Sequence, residues 1–537
     1  MSTDHIHSTA RPLKIGWATR DITPQEPVGI PGQFHLRVAM GVLDPVTLTA
    51  LAIENGKDTV IFLSADLVVA RNFLIDQIRT RVVAADPAVP ADKILLNVTH
   101  THTGPGYYSN QDMFGTVPGE ECSWPGMVAV CDANDMRDFL AQQAADAVLE
   151  AWHSRAPGGV AWGYGFAVAG HSRRVVYFDD VSRRPGLGGR PGVAVNGHGV
   201  MYGNTDDDQF SHYEAGADSF VNLLYTFDPA GKLTGALINV ACPAQNNEQE
   251  WQLSASFWHD VRMALKAKYG NIHILPQSAA AGDLAPRQLH FKAAELRRYQ
   301  LKYGGLMTQW AEKMTFPEAW FPTPENRKTQ SAVLALEMAR RYDIAERIVS
   351  AFDEVLIWAR RDIRLKLDIR HAVTVIQLDK RRITPEEYVR ERDELAALKL
   401  EPFRTGGDAY ADMIHNSVLA SRINRCRMIL NRYEIQDAEP RMPMELHVIQ
   451  IGNIAFVSNR FELFMDYMHR IQARSPFEQT FVVQLAATPG MDGGTYLATE
   501  RAAANKGYSA SLYDNLISPA GGQQLVEETV RILKELF

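Results

Sequence analysis

Three short apolar runs, Thr59–Asp66, Ile94–Val98 and Ile272–Pro276, constrain this chain more than any other feature. Each is five to eight residues long, rich in β-branched and aliphatic side chains, and bounded by turn residues. Runs that are apolar on both faces and too short for helices read as strands buried on both sides. Each also stops at polar residues: Asp66, then Thr99–Gly106, then Gln277 to Asp283. In α/β proteins the carboxyl ends of strands and the loops after them carry the chemistry. From Leu13 to Asp283 such runs alternate with helical spacing, so the expected class is α/β, with mixed β-sheets flanked by helices.

The pattern changes after Arg287. Phe291–Met314, Ser331–Arg361, Pro385–Leu400 and Asp408–Arg432 place apolar residues at three-to-four spacing, interrupted by a strand-like Ile369–Leu378. Strand character returns at Leu446–Ser458 and Thr480–Ala487, and Gly521–Phe537 reads as a closing amphipathic helix. The expected organisation is a discontinuous α/β domain over 12–287 and 440–537, with a mostly helical insertion at 288–439. Glycine-rich stretches from Gly104 to Cys131 and from Pro185 to Gly203 are expected to be long ordered loops, placed like lids.

With 55 basic against 63 acidic residues the 537-residue chain carries a net charge of −8, which argues against a nucleic-acid partner. No apolar run approaches the ~18–20 residues of a membrane span, and no basic, apolar leader opens the sequence, so a cytoplasmic location is expected. The four cysteines match no metal or redox spacing. The partner expected is a small-molecule substrate, with homo-oligomer formation left open.

The sharpest chemical feature is Thr99-His100-Thr101-His102-Thr103-Gly104-Pro105-Gly106. If the backbone stays extended, the period of two aims both imidazoles at one point, where they can bind a transition metal or pair a ligand with a proton donor. The alternative is a pair of partly buried strand-capping residues.

This motif resembles the signature of the neutral/alkaline non-lysosomal ceramidases, and further blocks recur in order. Ile15–Pro24 resembles the family's opening strand and turn, His171-Ser-Arg-Arg174 its Asn-Arg segment, Ala281–Pro286 its Gly-Asp-x-Ser-Pro loop, and Val457–Glu462 a strand end carrying a glutamate. The resemblance implies a neutral-ceramidase-like catalytic domain, without a counterpart of the family's C-terminal immunoglobulin-like domain, and one zinc ion held by two His, one Glu and one Tyr. Position by position the ligands fall on His100, Cys242, Glu462 and Tyr496. Cys242 stands where the family has its second histidine; it is either a thiolate ligand or an inert buried thiol.

Further roles follow, for His102 and Arg173 from the same resemblance, and for Asp283, Asp66 and His259 from their positions at strand ends and a helix start. His102 would polarise a carbonyl or steady an oxyanion, Arg173 would bind a carbonyl or anion, and Asp283, like Asp66, would orient a ligand or a water. His259, in the first turn of a helix beginning near Ser254, would be a neutral base or a replacement ligand. Ala285 matches the family's proposed nucleophilic serine, so the expected activity is hydrolysis of an amide or ester in a small polar substrate by metal-activated water. A lyase or isomerase on the same scaffold, and a catalytically silent binding protein, are the alternatives.

Overall fold

The computed structural model describes residues 10–71, 73–107, 130–184, 197–318, 321, 323–490 and 495–537. Most of the two glycine-rich stretches, 108–129 and 185–196, lies outside the described residues, and so does the lid expectation placed on them. The first half contributes β1 (Arg11–Asp21), β2 (Thr47–Glu54), β3 (Thr59–Ala65), α1 (Leu74–Ala85), β4 (Ile94–Val98), α2 (Ala133–His153), β5 (Ala156–Phe166), β6 (Phe220–Phe227), β7 (Leu233–Val240), α3 (Phe257–Tyr269) and β8 (His273–Ser278). The second contributes α4 (Lys292–Lys313), α5 (Pro324–Ala359), β9 (Ile369–Asp379), α6 (Pro385–Leu398), α7 (Ala409–Ile435), β10 (Arg441–Ile451), β11 (Ile454–Ser458), α8 (Met465–Arg474), β12 (Gln479–Val483) and α9 (Pro519–Leu536). Shorter strands are named by their residues.

Two sheets organise the molecule. The larger runs β8-β7-β6-β5-β1-β2-β3-β4, with Lys366–Leu367 added to β1; the smaller runs β9-β10-β11-β12. Strand alternation assigns each face its layer. Leu51, Val60, Phe62, Leu224 and Leu237 point inward to meet Ile449, Ile451, Phe456 and Phe481 of the smaller sheet, with Phe456 4.3 Å from Phe481 and 4.8 Å from Phe62 between ring centroids. Their neighbours Ala50, Ile61 and Leu63 point outward against α1 and α2. Leu223 and Ile238 meet α3 and α5. On the far side Leu446, Val448 and Val457 meet α8 and α9. The result is four layers, helix, sheet, sheet, helix, with the mixed α/β character read from the sequence.

Within these two sheets most strand neighbours are antiparallel, and the three parallel pairs, β3/β4, β7/β8 and β11/β12, are each joined by a crossing helix, α1, α3 and α8. A parallel pair requires such a crossover. Every site residue named from the sequence, apart from Arg173, His259 and Tyr496, follows the end of one of these six strands.

The span expected as a mostly helical insertion, 288–439, packs against both sheets. β9 pairs along its whole length with β10, inside the smaller sheet. α5 lies on β5, where a Cβ at Gly163 or Gly165 would strike Trp358 or Ala351, and Tyr225 Oη donates to Phe352 O at 2.7 Å. The amphipathic pattern identified these helices correctly, but the apolar face of α5 is buried by the larger sheet and not by a domain of its own.

Candidate functional site

β4 delivers Thr99 to His102 into the interior. His100 adopts a left-handed backbone, φ 60°, so the chain turns there and does not run on as a strand. The imidazoles converge all the same, because the kink folds one ring onto the other: the rings are 4.9 Å apart at an interplanar angle of 71°, and the two Nε2 atoms are 3.2 Å apart. Convergence therefore comes from a strained turn, and not from the period of two. The loop is pinned by buried Arg37, which donates to His102 O, to Pro31 O at 3.1 Å and to Glu250 O at 2.6 Å. Gly32, at φ 104°, makes room: a Cβ there would stand 2.7 Å from His102 Cγ.

Glu462 arrives from the far end of the chain. It follows β11, and the pair Glu462–Leu463 forms a short parallel ladder with Tyr496–Leu497. Glu462 Oε2 lies 3.3 Å from His100 Nε2, and Tyr496 hydrogen-bonds the same carboxylate. Burial opposes the Glu462 charge, but His100 and Arg173 beside it hold its carboxyl below the ordinary range. Burial drives the Tyr496 phenol well above its ordinary value.

Proton accounting defines what this cluster wants. His100 Nδ1 lies 2.7 Å from Val68 O, so that nitrogen carries a proton and Nε2 presents a lone pair to Glu462. His102 Nε2 accepts from the Gln245 amide at 2.7 Å, leaving its own proton on Nδ1. The His100 Nε2 lone pair then faces the Glu462 carboxylate, two acceptors that a cation would hold together. Bonds of about 2.0–2.1 Å to a tetrahedral zinc set donor atoms about 3.3 Å apart, and His100 Nε2 and Glu462 Oε2 are 3.3 Å apart. His100 and Glu462, with Tyr496 on the same carboxylate, are residues that could hold a divalent ion. The protonated face of His100 is held by a backbone carbonyl, the usual way a ligating imidazole is oriented.

Arg173 is buried alongside. Its Nη2 donates to Gly282 O at 2.8 Å, its guanidinium lies 5.1 Å from the Tyr496 ring centroid, and its Nε has no hydrogen-bond partner among the described residues. Burial alone would weaken its charge, but Tyr496, Tyr202 and Glu462 raise its pKa. Asp283 stands one step back: Oδ1 accepts from Met465 N at 3.1 Å at the start of α8, and its carbonyl accepts from Arg173 N at 3.0 Å. Burial pushes its carboxyl up to about 6. It positions Arg173 and α8 and does not touch the cavity. Asp66 is likewise structural, bound by both Nη atoms of Arg262 at 2.7 and 3.1 Å.

Two expected residues are not brought to the cluster. Cys242 is fully buried among apolar side chains that pack beneath α3, its thiol directed to Pro243 O at 3.5 Å. Burial pushes that thiol up, away from the thiolate a metal needs. His259 does lie in the first turn of α3, but it faces Asp44 at 3.9 Å within the Asp44–Arg341–Asp260 network. Burial lowers its pKa. Neither lines the cavity.

The sequence reading missed Gln245, Glu248, Arg287, Tyr202 and Tyr508. Gln245 and Glu248 belong to the polar run Gln245–Glu250 just after β7, the same kind of signal that marked Thr99–Gly106. Glu248 lies 3.7 Å from His102 Nδ1, and Arg287 pairs with its other oxygen. These residues, with Phe34, Tyr177, Arg184 and Asp207, line a cavity of about 480 Å³ whose floor is His102, Arg173 and Tyr496.

A layered α/β body with a buried cluster of nitrogen and oxygen donors opening on a polar cavity is an architecture suited to metal-assisted chemistry on small molecules. Among solved structures this chain is similar to the neutral ceramidase from Pseudomonas aeruginosa, at 16% identity and a TM-score of 0.61, over 98% of this chain and 75% of that one. It is also similar to a ceramidase complexed with C2, at 13% identity and a TM-score of 0.60, over the same shares. It has the neutral-ceramidase fold, as the motif resemblance implies. No family model and no curated protein matches the sequence.

Proposed function

We propose that this protein is a hydrolase that uses one divalent ion, zinc by its donor set, to cut an amide or ester bond in a small polar substrate. The single observation carrying this reading is the meeting of His100 and Glu462, 3.3 Å apart although they come from distant parts of the chain, with Tyr496 hydrogen-bonded to the same carboxylate. His100 Nε2, Glu462 and Tyr496 would hold the ion, whose Lewis acidity is what it supplies when bound.

The remaining groups have roles that follow from their positions. Arg173, with an unpartnered Nε at the cavity floor, binds the substrate carbonyl oxygen and stabilises charge developing there. His102, neutral because burial and the neighbouring His100 and Arg37 drive its pKa well down, turns its lone pair to Gln245 and keeps an Nδ1 proton without a hydrogen-bond partner among the described residues, 3.7 Å from Glu248. Gln245 keeps an orphaned Oε1 at the same wall, an acceptor suited to the N–H of an amide. Ala285, buried opposite His171, offers no hydroxyl, so no serine at that position forms a covalent intermediate. Among the described residues no helix is long and apolar enough to cross a membrane.

Elemental analysis of chelator-free protein tests the reading. About one equivalent of zinc, manganese or iron in wild type, lost in His100→Ala and in Glu462→Ala, supports it. Metal-free wild type, with no hydrolysis of an amide panel after zinc is added, overturns it.

A further inference from the structure

The outer wall of the cavity is built differently from its floor. Arg184 is bound by Asp179 at 2.6 and 2.7 Å and by Asp207 at 2.6 Å, and its guanidinium lies 4.7 Å from the Tyr177 ring centroid. Arg287 pairs with Glu248 and lies 4.5 Å from the Tyr202 ring centroid. Two guanidinium groups therefore face three carboxylates, and neither cation is left without an anion. Tyr177 Oη is also committed, donating to Asn204 O at 2.8 Å.

Three classes of ligand meet this wall with different results. A carboxylate or phosphate finds both arginines already compensated and meets Asp207 and Glu248 as like charges. A hydrocarbon chain would strip water from ion pairs and return nothing to them. A hydroxyl is donor and acceptor at once: carboxylate lone pairs left over from the arginines accept its proton, and guanidinium N–H groups donate to its oxygen. Tyr202, partly exposed beside the Arg287 ion pair, offers a flat apolar surface for the C–H side of a ring.

We propose that this outer wall binds a neutral, polyhydroxylated group of the kind a sugar ring carries, attached to the bond that the floor of the cavity cleaves. The proposal rests on the reading of this cavity as a substrate site and names the substrate's class. Asp207 and Tyr202 are the residues that recognise the group; neither belongs to the donor cluster or the floor.

Calorimetric titration of the full chain with N-acetylglucosamine, glucuronic acid and N-hexylacetamide tests it, because these probes are respectively a neutral polyol with an amide, a charged polyol and an amide with an alkyl chain. N-acetylglucosamine is expected to bind at least about tenfold more tightly than either of the others, the worth of one or two well-made hydrogen bonds. Asp207→Asn should weaken N-acetylglucosamine about tenfold while bringing glucuronic acid closer to it, since Arg184 loses one of its two anions. A merely structural Asp207 would weaken both probes alike. Absent binding of N-acetylglucosamine, or tighter binding of either competitor, overturns the proposal. Binding is read without turnover, so a failed hydrolysis assay leaves this test standing, and a failed titration leaves the metal analysis standing.

Discussion

Gly282 is the position where one added methyl group should undo the site without touching any reacting atom. Its N–H donates to Leu463 O at 2.8 Å and its carbonyl accepts from Arg173 Nη2 at 2.8 Å, so it clamps the Glu462 segment to the Arg173 segment. A Cβ there would stand 2.3 Å from Glu462 O, 2.7 Å from Glu462 C and 3.1 Å from Leu463 C. All three are backbone atoms, which cannot rotate aside. Ordinary methyl contact begins at 3.4 Å, so the two segments must part by about 1 Å. Overpacking of this kind costs about 1–3 kcal/mol of stability. The same displacement carries Glu462 away from His100, and loss of a ligand's orientation lowers metal affinity about 10–100-fold. Gly282→Ala should therefore melt several degrees below wild type and lose zinc to a competing chelator at a 10–100-fold lower concentration. Gly304→Ala is the control, because nothing lies within 4 Å of a Cβ at that position in α4; it should gain about 0.5–1 kcal/mol from helix propensity. A Gly282→Ala protein with wild-type melting temperature and wild-type zinc affinity would refute the reasoning, since the clash would then have been absorbed without moving Glu462.

Cys242→Ser places a hydroxyl in an apolar cluster and should cost about 1–3 kcal/mol in chemical denaturation while leaving zinc affinity unchanged; a marked loss of zinc with intact stability would return the thiol to the ligand set. Arg262→Met leaves Asp66 buried without its bidentate partner and should cost about 3–5 kcal/mol, read by urea denaturation. His273 stacks on Trp17 at 5.5 Å and its Nδ1 lies 2.9 Å from Thr19 Oγ1; burial, with Lys266 adding to it, lowers its pKa to about 4. The unfolded chain, titrating near ~6.5, then takes up this proton first as the pH falls, so the group costs nothing above pH ~6.5 and progressively more down to about 4. Comparing His273→Gln with wild type by denaturation across that range should shift the stability difference by about 3 kcal/mol against wild type at the acidic end; parallel pH profiles would contradict it.

Local pattern settled a great deal here. Apolar runs of five to eight residues found β3, β4 and β8, three-to-four spacing found α4, α5, α6 and α7, and the residues just beyond the strands supplied His100, His102 and Asp283. These features were legible because side-chain period and strand termination are properties of neighbouring residues, fixed by backbone geometry before any tertiary contact forms. The motif resemblance contributed Glu462 and Tyr496, which no periodicity would have marked. Other decisions belonged to the assembled molecule. Whether β9 serves an insertion or the smaller sheet depends on β10, some sixty residues later. Within Ala241–Glu250 a cysteine, a glutamine and a glutamate are all chemically eligible as site residues. The packing of α3 sends Cys242 into an apolar core, and the close approach of the β7 and β4 loops, where Ala244 N meets Thr99 O, carries Gln245 to His102. His259 was removed in the same way, by an arginine from α5 that gathered Asp44 and Asp260 around it. The sequence by itself determined which side chains could do chemistry and on which elements they would ride. Tertiary structure decided which of them share a point in space, because that depends on strand order and crossovers linking residues hundreds of positions apart, and local geometry carries no record of those distances.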